Sequence, residues 1–160
     1  CFTAPRALTL RGGRVIARPY LPGLPLAPAT LEGAPGDEAG ARIVELAGSR
    51  SWRLAFDASY EEALSVRIGE ESGLEVVLED GRLTVDLTGT RYPHGGRRVV
   101  TLDAGEASRV EILHDRSITE IYLGDGSRVF TTRSFLNGEG IGVTLVGAAS
   151  VSAVSAARAD

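Results

Sequence analysis

The chain has 160 residues, 43% of them hydrophobic and 6% aromatic, with 20 glycines and a formal net charge of −4. That apolar share is too large for a disordered chain, and the length suffices for one domain that buries its own core without staples. The acidic balance, with no basic run longer than Arg97-Arg98, argues against nucleic acid as a partner. No apolar run reaches the roughly 18–20 residues of a membrane span.

Every basic residue is Arg, and Lys, Gln and Met are absent. A GC-rich coding bias, as in a bacterium with such a genome, explains this more simply than function does. The missing Met points to a piece of a longer protein. With a single cysteine, Cys1, no internal disulfide can form, so packing must supply stability. No signal peptide is visible. The expected compartment is the cytoplasm or the outside of the cell, the cytoplasm being slightly preferred.

Residues 1–18 are read as an entry segment and first hairpin, with Gly12-Gly13 as the hairpin signal because glycine adopts positive φ without a Cβ clash. Residues 19–40 carry Pro19, Pro22, Pro25 and Pro28 at three-residue spacing, with Leu21 and Leu24 at the same interval. That period is the one of polyproline II, so the segment is expected to be a stiff extended connector pressed against a surface. From residue 41 to 160, period-two alternation dominates. Trp52, Leu54 and Phe56 fall on one face of a strand, as do Leu64, Val66 and Ile68. The pattern recurs at Leu74, Val76, Leu78, at Leu83, Val85, Leu87, and more weakly at Ile141, Val143, Leu145. Asp80-Gly81 and Asp125-Gly126 are turn signals between strands, and the small residues of 148–157 suit a closing strand with little packing volume. No stretch supports a long amphipathic helix, and no repeat of fixed period suggests a propeller or solenoid. The expected fold is all-β: a two-sheet antiparallel sandwich, jelly-roll-like, of about ten to twelve strands.

The densest polar cluster is His114-Asp115-Arg116-Ser117 with Glu120. Two acids suggest glycoside hydrolysis, and Ser, His and Asp suggest a triad. Neither reading is favoured, because neighbours along a strand point to opposite faces and do not converge. A turn between two strands is expected here, with its carboxylates accepting backbone N–H groups. His94 and His114 are read as surface or turn histidines, and with Cys1 far away no metal-ligand spacing or cofactor motif exists. Gly95-Gly96 and Gly138-Glu139-Gly140 open no helix and are read as loop glycines. Among the aromatics Tyr60, Tyr92 and Tyr122 are candidates for stacking on a sugar ring. Tyr92, in the loop run Thr90–His94, is the better placed, although a loop anchor is the plainer reading. Trp52 is expected in the core.

The run from Val110 to Tyr122 resembles the signature strand pair of the C-terminal sandwich in glycoside hydrolase family 32. There a hydrophobic strand leads to Asp-x-Ser, then Glu, then a hydrophobic and an aromatic residue. Asp115, Ser117, Glu120 and Tyr122 fill those places, with Tyr where Phe is more usual. Leu123–Phe135 is similar to the family's next hairpin and strand. Pro5–Leu10, with Gly13-Arg14 and Arg18-Pro19, resembles the segment where these enzymes leave the catalytic propeller. The resemblance implies a five-bladed propeller upstream as the module's partner, carrying the catalytic carboxylates in Asn-Asp-Pro, Arg-Asp-Pro and Glu-Cys motifs. None of these motifs occurs here, so no catalytic residue carries over and the chain alone is expected to be inactive. Its expected role is to support that domain, with homo-oligomer contacts as a further role; the alternative is a fructan-binding module that contacts β-fructoside oligosaccharides. An immunoglobulin-like adhesion domain is the weaker reading, since the Cys…Trp…Cys pattern is absent.

Overall fold

Alternating residues become strands wherever one face can be buried, and in the computed structural model the alternation places two sheets face to face. The structure describes residues 3–35, 39–60, 63–69, 73–79, 81–103, 109–136, 142–147 and 149–159 (Tyr60 and Ala149 by backbone only). Cys1, Gly138-Glu139-Gly140, Ile141 and the side chain of Tyr60 lie outside the described residues. Fifteen strands are described: β1 (Arg6–Arg11), β2 (Arg14–Pro19), β3 (Ala27–Pro28), β4 (Leu31–Glu32), β5 (Ala41–Ile43), β6 (Ser51–Tyr60), β7 (Ala63–Ile68), β8 (Leu74–Glu79), β9 (Arg82–Asp86), β10 (Arg97–Thr101), β11 (Arg109–Asp115), β12 (Ile118–Leu123), β13 (Arg128–Arg133), β14 (Val143–Val146) and β15 (Ala149–Arg158). One sheet runs β10-β9-β8-β7-β14-β5-β4 and the other β13-β12-β11-β6-β15-β3, all antiparallel, while β1 and β2 form a separate hairpin. No helix among the described residues is long and apolar enough to cross a membrane.

The core lies between the sheets, as the alternation requires. Trp52, Leu54 and Phe56 of β6 stand opposite His114, Ile112 and Val110 of β11, and all six side chains point inward and are buried. From the facing sheet come Leu64, Val66 and Ile68, then Leu74, Val76 and Leu78, then Leu83 and Val85. Each fully buried Leu, Ile or Val contributes about 1.5–3 kcal/mol relative to exposure, so these stripes dominate the stability of the domain. Among the described residues β15 is a small-residue strand, as expected, lying beside β6 in the interior of its sheet. Its register with β6 shifts between Ser152 and Ser155, where Ala153 adopts φ 51°. Such a bulge bends the strand and strengthens its twist.

The strand count exceeds the expected ten to twelve for two physical reasons. The hairpin β1–β2 stands outside both sheets, and the proline-rich segment supplies two short strands of its own. The segment is not one extended line. A turn closes at Leu24, whose N–H donates to the Leu21 carbonyl at 3.0 Å. Ala27–Pro28 then joins the edge of one sheet and Leu31–Glu32 the edge of the other, so the chain crosses between the layers within six residues. Proline suits edge strands, which leave its missing N–H without a ladder partner. The crossing is fixed by the Glu45 carboxylate, which accepts the Thr30 N–H at 2.9 Å. That bond holds Glu45 below the usual carboxylate range.

Turn chemistry follows the sequence in three places and departs from it in one. Gly12 (φ 57°) and Gly13 (φ 78°) make the two-residue turn between Arg11 and Arg14. Gly81 (φ 69°) serves the turn between Glu79 and Arg82. Asp125-Gly126, by contrast, lies inside a four-residue turn joining Leu123 to Arg128. The tight turn expected within the polar cluster falls at Arg116-Ser117 and joins β11 to β12, with Arg116 at φ 51°. Gly126 has φ 99°, and a Cβ there would collide with the Ala17 carbonyl of β2. The Gly126 carbonyl also accepts the Ala17 N–H at 2.9 Å, so this turn is where the hairpin rests on the sandwich. Gly126→Ala is therefore expected to cost about 1–3 kcal/mol, through the strained φ and the lost contact. Chemical denaturation should show the loss, and faster amide exchange should be confined to β1, β2 and 124–127. Unchanged exchange in the hairpin would refute this account.

Candidate functional site

Glu120 is the most constrained charged residue. It sits on β12 and is 2% exposed, opposite Leu113 of β11 and Thr131 of β13, on the face of its sheet that points away from the core. Solvent does not reach it because the N-terminal arm covers that face. The Ala4 N–H donates to one carboxylate oxygen at 2.9 Å, and the Arg6 guanidinium donates to the other in an ion pair. Arg6 also donates from Nε to the Tyr122 hydroxyl at 3.1 Å and from Nη2 to Thr131 Oγ1 at 2.9 Å, and its guanidinium carbon lies 5.6 Å from the Tyr122 ring centroid. A buried carboxylate needs such pairing, since an unpaired charge in low dielectric costs several kcal/mol. Burial and the neighbouring Glu120 push the Tyr122 phenol up to about 12.

This arrangement corrects two expectations. Glu120 is not a turn carboxylate: it lies within a strand and anchors the arm that precedes β1. Tyr122 is not an exposed sugar platform, being 2% exposed with Arg6 over its ring. Stacking needs a bare ring face, and here the arm occupies it.

The rest of the polar cluster disperses, as strand geometry demands. Asp115 ends β11 on the outer side and accepts the Ser51 hydroxyl at 2.7 Å. Ser117 lies in the tight turn, where its carbonyl accepts the Ser134 N–H at 2.9 Å. His114 points into the core, contrary to its expected place at the surface. Its Nδ1 meets Thr119 Oγ1 at 2.9 Å, Thr119 meets Ser134 Oγ at 2.6 Å, and the ring stacks on Trp52 at 5.4 Å. The bond goes to Thr119, the cross-strand neighbour, and not to Ser117, so the triad reading fails. Burial lowers the pKa of His114 to about 4, with Asp115 pulling the other way. His114 Nε2 and Trp52 Nε1 are buried with no hydrogen-bond partner among the described residues.

Asp115 and Glu120 both line a cavity of about 580 Å³ beneath the arm, together with Leu21, Leu24, Trp52 and Arg116. Their chemistry there differs from that of a hydrolytic pair. Both oxygens of Glu120 are engaged by donors from the arm, which suits an anchor and not a proton shuttle. No group of three or more His, Cys, Asp and Glu side chains that could hold a metal ion occurs among the described residues.

Tyr92 is 49% exposed in the loop after β9. It packs edge-on against Phe135 at 5.0 Å, with Arg91 over its ring, so it is both an anchor and partly open. His94 follows in a short 3-10 turn, exposed as expected. Gly95 packs so closely on Leu87 that a Cβ would clash, and Gly96 (φ 58°) closes the turn, so both are loop glycines by geometry. A shallow cleft of about 300 Å³ runs from Tyr92 and His94 across to Thr131, Arg133 and Phe135.

Two features escaped sequence reasoning. The Arg6–Glu120 contact joins positions 114 apart, which no local pattern reveals. The signal for it was indirect: Ile118–Leu123 does not alternate cleanly, and Thr119 through Leu123 are all buried. A strand buried on both faces must be covered by something outside the sandwich. For the His114–Thr119–Ser134 chain, alternation from Val110 and Ile112 signals the inward side of His114, but no local pattern signals its partners.

The family profile for the C-terminal domain of glycosyl hydrolases family 32 matches residues 39–158. The chain belongs to that family. Comparison with curated proteins by sequence gave no match. Solved structures share the fold over nearly the whole chain. A family 32 β-fructofuranosidase from Bombyx mori is 24% identical with a TM-score of 0.70, covering 98% of this chain and 32% of its own. The sucrose-6-phosphate hydrolase from Lactobacillus gasseri is 17% identical with a TM-score of 0.74, covering 97% and 33%. A β-fructofuranosidase from Schwanniomyces occidentalis, complexed with fructosyl-erythritol, is 10% identical with a TM-score of 0.76, covering 98% and 40%. This family 32 C-terminal domain thus spans about a third of the length of those solved chains. Its profile begins at residue 39, so the hairpin and most of the proline-rich segment lie outside the matched region.

Proposed function

We propose that this domain is the non-catalytic C-terminal module of a sucrose- or fructan-cleaving glycosidase, and that it stabilises an upstream catalytic propeller. The observation that carries the reading is the anchor at Glu120. The arm leading into β1 is held to the sandwich by an ion pair and an N–H bond on one buried carboxylate, so whatever precedes the arm is positioned by the sandwich. The polar cluster supports the same reading, because its members hold structure in place. Deleting residues 39–160 from the full-length protein is expected to lower its melting temperature and shorten its half-life on heating, while the preference among sucrose, inulin and levan stays the same. A truncated enzyme as stable as the parent would sink the proposal. Sedimentation of the full-length protein with and without the module tests the further role in oligomer contacts.

A second reading is a β-fructoside contact at Tyr92, favoured by its half-open ring at the mouth of the cleft with Phe135. Titration of the 160-residue chain with inulin, levan and sucrose tests it by calorimetry. Binding heat that disappears in Tyr92→Ala supports the contact, and no heat at millimolar sugar discards it.

A further inference from the structure

Eight arginines pair with carboxylates among the described residues, whereas Arg91, Arg98 and Arg133 do not. Arg98 and Arg133 line the cleft of about 300 Å³ beside Tyr92, and the Arg91 guanidinium carbon lies 5.6 Å from the Tyr92 ring centroid. Among the described residues no Asp or Glu side chain lines that cleft. Like charges sharing a cleft without a counter-charge repel one another, so the arrangement favours an incoming anion, on a chain whose net charge is −4.

The two sheets supply one arginine each. β10 is an edge strand of the seven-stranded sheet, and Arg98 stands opposite the core residue Val85, so its side chain leaves β10 on the inward side. β13 is an edge strand of the other sheet, and Arg133 ends it. Charges on edge strands guard against pairing with other chains, which accounts for an arginine on either edge. It does not account for their convergence, nor for the aromatic supports. The Arg133 guanidinium carbon lies 5.2 Å from the Phe135 ring centroid, and Phe135 meets Tyr92 edge-on at 5.0 Å. A guanidinium stacked on a ring loses conformational freedom but keeps its in-plane N–H donors, the geometry that grips phosphate or carboxylate. Beside those donors, Thr132 and His94 offer polar atoms to hydroxyl groups, and the half-exposed Tyr92 ring offers an apolar surface. The volume lies at the small end of ligand sites, enough for one sugar ring.

Resting on the sugar contact at Tyr92, we propose that the cleft between the edges β10 and β13 binds a monosaccharide unit carrying an anionic group, a phosphate or a carboxylate. Arg98 and Arg133 donate to the anion, and the ring of the sugar lies against Tyr92.

Calorimetric titration of the 160-residue chain with glucose, glucose 6-phosphate, glucuronate and inorganic phosphate tests this. The tighter of the two anionic sugars should bind at least about tenfold better than glucose, and its identity tells phosphate from carboxylate. It should also bind at least about fivefold better than inorganic phosphate, because the ring adds contact with Tyr92. Raising salt from about 50 to about 500 mM should weaken it at least about threefold, the cations being exposed. Arg98→Gln and Arg133→Gln should each weaken it at least about fivefold, with melting temperatures within about 2 °C of the parent, since neither residue holds an ion pair. Arg42→Gln, near the far edge of the same sheet as Arg98, removes an equal charge and should leave the affinity unchanged. Tyr92→Ala should abolish the preference over inorganic phosphate.

Equal binding of glucose and the anionic sugars overturns the anionic class and leaves the sugar contact at Tyr92 standing. Inorganic phosphate that binds as tightly as the anionic sugars, with no effect of Tyr92→Ala, removes the contact and the proposal together. Arginine variants that bind like the parent, or an Arg42→Gln variant that loses as much as they do, overturn the assigned site. If no probe binds at about 10 mM, both the contact and the anionic class fall. The full-length protein should match the 160-residue chain within about threefold in affinity, and lost binding there means that the cleft is covered, which also overturns the proposal.

Discussion

Arg6→Ala is expected to lower the stability of the 160-residue chain by about 2–3 kcal/mol, a drop of roughly 4–10 °C in melting temperature. The size follows from what the substitution leaves behind. Glu120 keeps the Ala4 N–H and a long contact from Thr131 at 3.3 Å, but loses the one cation that pairs with its carboxylate among the described residues. Removing one member of a buried pair costs about 3–5 kcal/mol when the other stays buried. The value here lies lower because the Arg6 side chain is 27% exposed, so the arm can lift and admit water to the stranded carboxylate. Glu120→Gln retains an oxygen for the Ala4 N–H and should cost less, about 1–2 kcal/mol. The discriminating measurement is the double variant. If the two residues act through one another, the combined loss will fall short of the sum by at least about 1 kcal/mol. Additive losses would mean that each works separately, and the anchor would be discarded. Tyr122→Phe provides a graded control, removing only the hydroxyl that accepts from Arg6 Nε, for about 1 kcal/mol.

The same pair explains why the sequence reveals its sheets better than its site. Period-two alternation is a local record of one buried face, so Trp52-Leu54-Phe56 and the stripes of β7, β8 and β9 could be read directly and are buried as expected. Glu120 and Tyr122 are buried on the other face, by an arm more than a hundred residues away, and no period within β12 encodes that cover. His114 misleads for a related reason. A polar residue beside Asp115 and Arg116 reads as turn, yet it occupies the inward position of its strand, two residues after Ile112 and opposite Trp52. Alternation counted from Val110 and Ile112 would have placed it inside. In the fold, position prevails over polar identity, with Thr119 satisfying Nδ1 and Ser134 in turn bonding Thr119.

The inward placement of His114 makes acid sensitivity the second large effect. Burial favours the neutral ring, so its folded pKa is about 4 against about 6.5 in the unfolded chain. Between those values the unfolded state binds more protons, and stability must fall as pH falls. The contribution is fully present above pH 6.5, declines by about 2 kcal/mol on going from pH 7.5 to 5, and reaches roughly 3 kcal/mol of loss below pH 4. The window above pH 5 is the informative one, because carboxylates held below their usual range, Asp86 and Glu45, lose their bonds only at lower pH. His114→Phe keeps a ring against Trp52, removes the unpartnered Nε2, and leaves Thr119 bonded to Ser134. Its stability at pH 7.5 should lie within about 1.5 kcal/mol of the parent, as for volume-conserving core changes. Its stability between pH 7.5 and 5 should be nearly flat. Denaturant melts at half-unit pH steps would show the two curves converging or crossing as pH falls. Parallel curves would mean that another group drives the acid limb and that His114 is solvated in the folded chain.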